Sequence, residues 1–151
     1  MTAYAPASID KPYQIYFEHR PDFLYVKIRC ETTNYAISKK YWTEILAMQI
    51  RRGYERVLID KDIINSMASH DVVMLVAELA SSGCHDVKFA IYDRHYDPRR
   101  CGFEEMVGTN RGLKVKICDS LSEARNWLTA PAIPQDLIVT QEMPRFTGPF
   151  D

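Results

Sequence analysis

An α/β fold, a mixed and mostly parallel sheet with helices packed on it, is the class this sequence predicts, and three features predict it. Val57, Leu58 and Ile59 form a short apolar run without alternation, the mark of a strand covered on both faces. Val72, Leu75, Val76 and Leu79 then repeat at helical spacing, so one side of that segment faces a core. Segments of these two kinds alternate along the chain, which calls for crossover connections and a largely parallel sheet.

The elements follow in order. Residues 1–12 carry Pro6 and Pro12 among small residues and read as a loose arm. Residues 13–18 and 23–31 are β-rich, joined by His19-Arg20-Pro21-Asp22. In the second run Phe23, Tyr25, Lys27 and Arg29 alternate with Leu24, Val26, Ile28 and Cys30, a period of two. The short polar link makes the pair an antiparallel hairpin at the start of the sheet. Ser38 opens the next helix, with Trp42, Ile45, Leu46 and Ile50 on its inner side and Arg51-Arg52 at its C-terminal end before Gly53.

The central strand ends at Asp60, and Asp60-Lys61-Asp62 begins a polar connection. Ser69 reads as the N-cap of the following helix, with Asp71 in its first turn, and Ser81-Ser82-Gly83 stops it. Val87, Phe89 and Ile91 alternate with Lys88, Ala90 and Tyr92 in a strand ending at Asp93. The loop 94–98 leads to a helix over 99–110, with Phe103, Met106 and Val107 as core contacts and Glu104-Glu105 as exposed face. A strand over 114–118 and a last helix opened by a Ser120/Glu123 capping box complete the pattern, with Leu121, Ala124, Trp127 and Leu128 packing inward. The order is β-β-α-β-α-β-α-β-α.

From Ala130 the pattern stops. Four of the eight prolines fall in the last 22 residues, so 130–151 is expected to be an extended tail that docks, if at all, through Leu137-Ile138-Val139. Residues 1–129 are then one domain, which suits a chain of 151 residues. The formal charge of -1 gives no reason to expect nucleic acid or an anionic membrane as partner. No basic segment followed by an apolar core opens the chain, so a signal peptide is not expected, and the longest strongly apolar run, 72–77, falls far short of the roughly 20 residues that span a bilayer. Cys30, Cys84, Cys101 and Cys118 lack CxxC spacing and read as free thiols in a reducing cytoplasm.

With this order of elements, VLIDKDIINSMASHDVVMLVAELASSG, KFAIYD and GLKVKICDSLSEARNWL resemble the STAS superfamily (sulfate transporter and anti-sigma factor antagonist) over about residues 13–128. The nearest branch is the SpoIIAA-like, or STAS/SEC14-like, one. The most telling piece is C-terminal: a strand, Asp119-Ser120, then a short helix ending Ala-x-x-Trp-Leu. In anti-sigma factor antagonists a serine at the start of the helix after the central strand is phosphorylated by a partner kinase. Aligned from Asp60, the resemblance puts that serine at Ser69. Ala68 stands where an aspartate usually does, His70-Asp71 replace small residues, and Asp71 would repel an incoming phosphate. Ser69 as a plain N-cap is the simpler reading.

Ligands of open α/β sheets sit beyond the carboxyl ends of the parallel strands. If the two central strands are neighbours, Asp60, Lys61 and Asp62 meet Asp93, Arg94 and His95 on one rim beside Ser69 and Asp71. Such a rim suits a small anion or an acidic partner segment; the alternative is a solvated edge with surface ion pairs. No catalytic residue, metal site or cofactor is expected. His95 is tied by no motif to a nucleophile, no phosphate-binding glycine pattern exists, and His19, His70, His85 and His95 lack metal-ligand spacing. The first expectation is therefore a non-enzymatic regulatory or protein-interaction module, docking a protein partner around Ser69. The alternative is binding of a lipid or other apolar small molecule in a cavity lined by Met48, Met67, Met74 or Met106. A hydrolytic enzyme using His95 and Asp93 ranks last. The hairpin edge and the tail leave room for a homodimer.

Overall fold

Nine elements are present in the computed structural model, which describes residues 11–131. They are β1 (Tyr13–His19), β2 (Leu24–Thr32), α1 (Tyr35–Arg52), β3 (Arg56–Asn65), α2 (Ser69–Ser81), β4 (Lys88–Asp93), α3 (Pro98–Asn110), β5 (Lys114–Cys118) and α4 (Leu121–Thr129). Nearly all of the N-terminal arm and of the proline-rich tail, with its Leu137-Ile138-Val139 segment, lies outside the described residues.

The strands lie in sequence order, β1-β2-β3-β4-β5. β1 and β2 pair antiparallel, as a hairpin must, and the remaining pairs are parallel. Each parallel step moves the same way across the sheet. Right-handed crossovers taken in one direction send their helices to one face. The inner cluster accordingly joins Tyr41 and Ile45 of α1, Val72 and Val76 of α2 and Cys101 of α3 to Ile28, Ile59, Ile91 and Ile117 of the sheet. α4, which follows the last strand of the described residues, covers the other face, where Ala124 and Leu128 pack on Phe23, Leu58, Ala90 and Cys118. Val57, Leu58 and Ile59 are thus covered on both sides, with no more than 3% exposure. Burying each such side chain contributes about 1.5–3 kcal/mol.

Several boundaries differ from the sequence reading. β3 does not end at Asp60. It runs on to Asn65 because the long β2 continues to pair with it, Lys27 opposite Asp60, Cys30 opposite Ile63 and Thr32 opposite Asn65. Ile63 is fully buried, so strand burial resumes beyond the charged triplet. α1 starts at Tyr35, where the Asn34 side chain accepts from the Ile37 N–H. Ser38 is instead a buried helix residue hydrogen-bonded to Thr33 and Tyr41. The N-cap of α2 is Ala68, with no side-chain hydrogen bond, and Ser69 is the first helical residue. Ile50, Met106 and Leu121 are exposed: Ile50 and Met106 fall on the sides of their helices away from the buried Ile45 and Cys101, and Leu121 is the first residue of its helix. Gly83 has φ of 85°, the left-handed turn expected after α2.

Candidate functional site

β3 and β4 are neighbours, with Asp60 opposite Tyr92 and Lys61 opposite Asp93. Their pleat divides the expected rim in two, since successive side chains of a strand point to opposite faces. On the α4 face lie Asp60, Asp62, Arg94 and His95. Asp60 is fully buried and accepts from Arg94 Nε at 2.8 Å, Arg94 Nη2 at 3.0 Å and the Tyr25 hydroxyl at 2.6 Å. Burial works to raise the Asp60 pKa, but the Arg94 and Tyr25 hydrogen bonds outweigh it and hold the carboxyl below the ordinary aspartate range. Asp62 lies 2.8 Å from His95 Nε2 and 3.7 Å from Arg29 Nε. These charges are consumed by one another.

Lys61 and Asp93 point to the opposite face, under α3. Asp93 Oδ1 accepts from the His95 backbone N–H at 2.9 Å, and its Oδ2 lies 3.1 Å from Arg100 Nη1. Lys61 Nζ lies 3.7 Å from Glu104 Oε1 and 3.8 Å from Asp93 Oδ2. Burial acts to lower the Lys61 pKa, but the charges of the Glu104 and Asp93 carboxylates overcome it, so the ammonium is held protonated. Asp93, Cys101 and Glu104 present ligand atoms within 4.8 Å of one another, a metal-like spacing. Lys61 and Arg100 already neutralise the two carboxylates, and burial pushes the Cys101 thiol up to about 11. That donor set is poorly suited to a cation, because a thiol must lose its proton to ligate one.

Above Lys61 the space between the sheet and helices α1, α2 and α3 is not filled. A cavity of about 90 Å³ is walled by side chains such as Trp42, Ile59, Leu75, Phe89 and Ile91, and the charged residues among its lining are Lys61 and Glu104. Of the four methionines named for such a cavity, Met67 lines it. Met48 packs on the core nearby without lining the space, while Met74 and Met106 are half-exposed at 49% and 51%. An open cleft of about 480 Å³ between the N-terminal ends of α2 and α3 adjoins it, sharing Met67, Val72 and Glu104. Ser69 lines that cleft with Arg99 and Arg100, and Asp71 lies beside it on α2, 3.1 Å from His70 Nε2.

Comparison with solved structures finds an uncharacterised protein of the DUF3478 family from Shewanella loihica PV-4, itself described as having a SpoIIAA-like fold. It matches with a TM-score of 0.54 and 16% identity over 82% of this chain and 99% of its own. The fold is SpoIIAA-like. No family model matches the sequence, and a search of curated proteins gives no significant match. Within this SpoIIAA-like fold no helix among the described residues is long and apolar enough to cross a membrane.

Two residues of the site escaped the sequence reading. Glu104 and Glu105 are not an exposed face: Glu104 turns to Arg100, Lys61 and the cavity, and Glu105 accepts from the Ile117 N–H at 2.8 Å. The signal was present in the spacing Cys101, Glu104, Gly108, an i, i+3, i+7 stripe ending on a glycine that lets α3 approach β5. A Cβ on Gly108 would stand 2.8 Å from a Val115 methyl.

Proposed function

We propose that this SpoIIAA-like domain is a non-enzymatic module that holds a small apolar molecule between its sheet and its three same-side helices. The observation that carries this reading is the apolar cavity with a single charged corner. Ligand sites are concave and mostly apolar, with a few polar groups fixing orientation. Protein interiors otherwise pack with few voids larger than a water molecule, so a cavity of about 90 Å³ calls for a use. The outer-face charges support the non-enzymatic part, since Asp60 is committed to Arg94 and Asp62 to His95.

A second reading, a regulatory module docking a protein partner on α2, is favoured by the exposure of Val73 and Met74 on that helix, at 38% and 49%. A butane titration and native mass spectrometry of freshly purified protein together separate the two. The first reading expects butane added to the apo protein to raise its thermal midpoint and shift the Ile59 and Ile91 methyl resonances, because a ligand that binds only the folded state stabilises it. The second expects a co-purifying polypeptide in the mass spectrum instead. Folded protein whose Ile59 and Ile91 methyls ignore saturating butane sinks the first.

A further inference from the structure

The charged corner of the cavity specifies what kind of polar group a ligand carries. Lys61 Nζ has three N–H donors, yet its nearest carboxylate oxygens, on Glu104 and Asp93, stand at 3.7 and 3.8 Å, beyond hydrogen-bond length. Its side chain is 15% exposed and that of Glu104 10%, and both line the cavity. A largely buried ammonium that opens onto the cavity with unspent donors offers them to an acceptor there. The 3.7 Å side between Lys61 Nζ and Glu104 Oε1 closes a triangle with an oxygen about 2.8 Å from each. An oxygen so placed accepts from the ammonium and, if it bears a hydrogen, donates to the carboxylate.

Charge decides between head groups. Lys61 and Arg100 balance Asp93 and Glu104, so the corner is neutral as it stands. A carboxylate head would add an uncompensated buried negative charge, and an ammonium head a positive one, and either is costly out of water. A hydroxyl adds none. Resting on the apolar-cavity reading above, we propose that the ligand is a neutral alcohol whose hydroxyl bridges Lys61 and Glu104 and whose short hydrocarbon part fills the space among Ile59, Phe89 and Ile91. Scaled from the cavity of about 150 Å³ that holds the six carbons of benzene, this space of about 90 Å³ takes roughly three or four non-hydrogen atoms.

The test is a set of methyl NMR titrations of the full chain with 1-propanol, butane and propanoate, on wild type, Lys61→Met and Glu104→Gln. The propanol-to-butane affinity ratio is expected to fall about tenfold in Lys61→Met, the loss of one charge-assisted hydrogen bond. Propanoate is expected to bind wild type more weakly than propanol, and to gain about tenfold on propanol in Glu104→Gln, where a negative charge is gone. Should Lys61→Met fail to fold, the Glu104→Gln comparison carries the test. A propanol-to-butane ratio equal in wild type and Lys61→Met, as when a water occupies the bridge, overturns the hydroxyl assignment alone. So does propanoate binding wild type as well as propanol. Silence of the cavity methyls to all three probes removes the cavity reading and this inference together.

Discussion

Asp60 and Arg94 show how unequal the two ends of one ion pair can be. Asp60 is wholly buried beneath the sheet face, whereas the Arg94 side chain is 39% exposed and stacks its guanidinium over Tyr92, 5.3 Å from the ring centre. Removing Arg94 strands a charge with no route to water; removing Asp60 leaves a cation that can turn outward. Arg94→Met is therefore expected to cost about 3 kcal/mol, the lower end of the range for orphaning a buried charge, since Tyr25 still donates to Asp60. Asp60→Asn is expected to cost less, and urea unfolding of the two variants compares them. Equal losses would refute the asymmetry. Lys61 makes the complementary case: one position along the same strand, its side chain turns to the other face, where it meets a cavity as well as the carboxylates of Asp93 and Glu104.

Among the helices, α2 is the one begun without help. Asn34, Asp97 and Ser120 each cap their helices with a side-chain oxygen, but Ala68 offers none at the start of α2. Its φ of -67° and ψ of 158° already suit an N-cap. Ala68→Ser is expected to stabilise the protein by about 1 kcal/mol, read as a rise in the urea midpoint with unchanged slope; no rise would mean that the α2 start is satisfied in another way. Element order and type were legible because apolar residues kept either a period of two or a helical one over whole segments. The far half of β3 was not, since Asp60-Lys61-Asp62 carries the composition of a loop. Its strand character lay in a longer rhythm, Val57, Ile59, Lys61, Ile63, in which a lysine occupies an inward position. The candidate rim failed to stay on one face for the same reason, because a triplet read as a loop has no pleat, and a pleat is what parts Lys61 from Asp60 and Asp62.

For the molecule as a whole, two carboxylates on opposite faces of one sheet tie stability to acid. In both, burial alone would raise the pKa. Arg94 and Tyr25 outweigh it at Asp60, and Lys61, the His95 N–H and Arg100 outweigh it at Asp93, so both folded values lie below the ordinary one. A depressed folded value means stability that is complete above the unfolded pKa of about 4 and is lost as pH falls through the folded values. The unfolding free energy is expected to decline from pH 5 to pH 3, and less steeply in Asp60→Asn; a flat profile over that window would contradict the assignment. The helical layer on one face and α4 on the other could be anticipated from the alternation of elements, but the cavity could not, because an unfilled volume is a matter of side-chain fit. The strand order has one more consequence. A sheet whose spatial order repeats its order in the chain can be laid down from one margin inward while the polypeptide is still leaving the ribosome. β1 and β2 meet as soon as both have emerged, each later strand finds its neighbour already in place, and no early segment has to wait, exposed, for a distant partner to be synthesised.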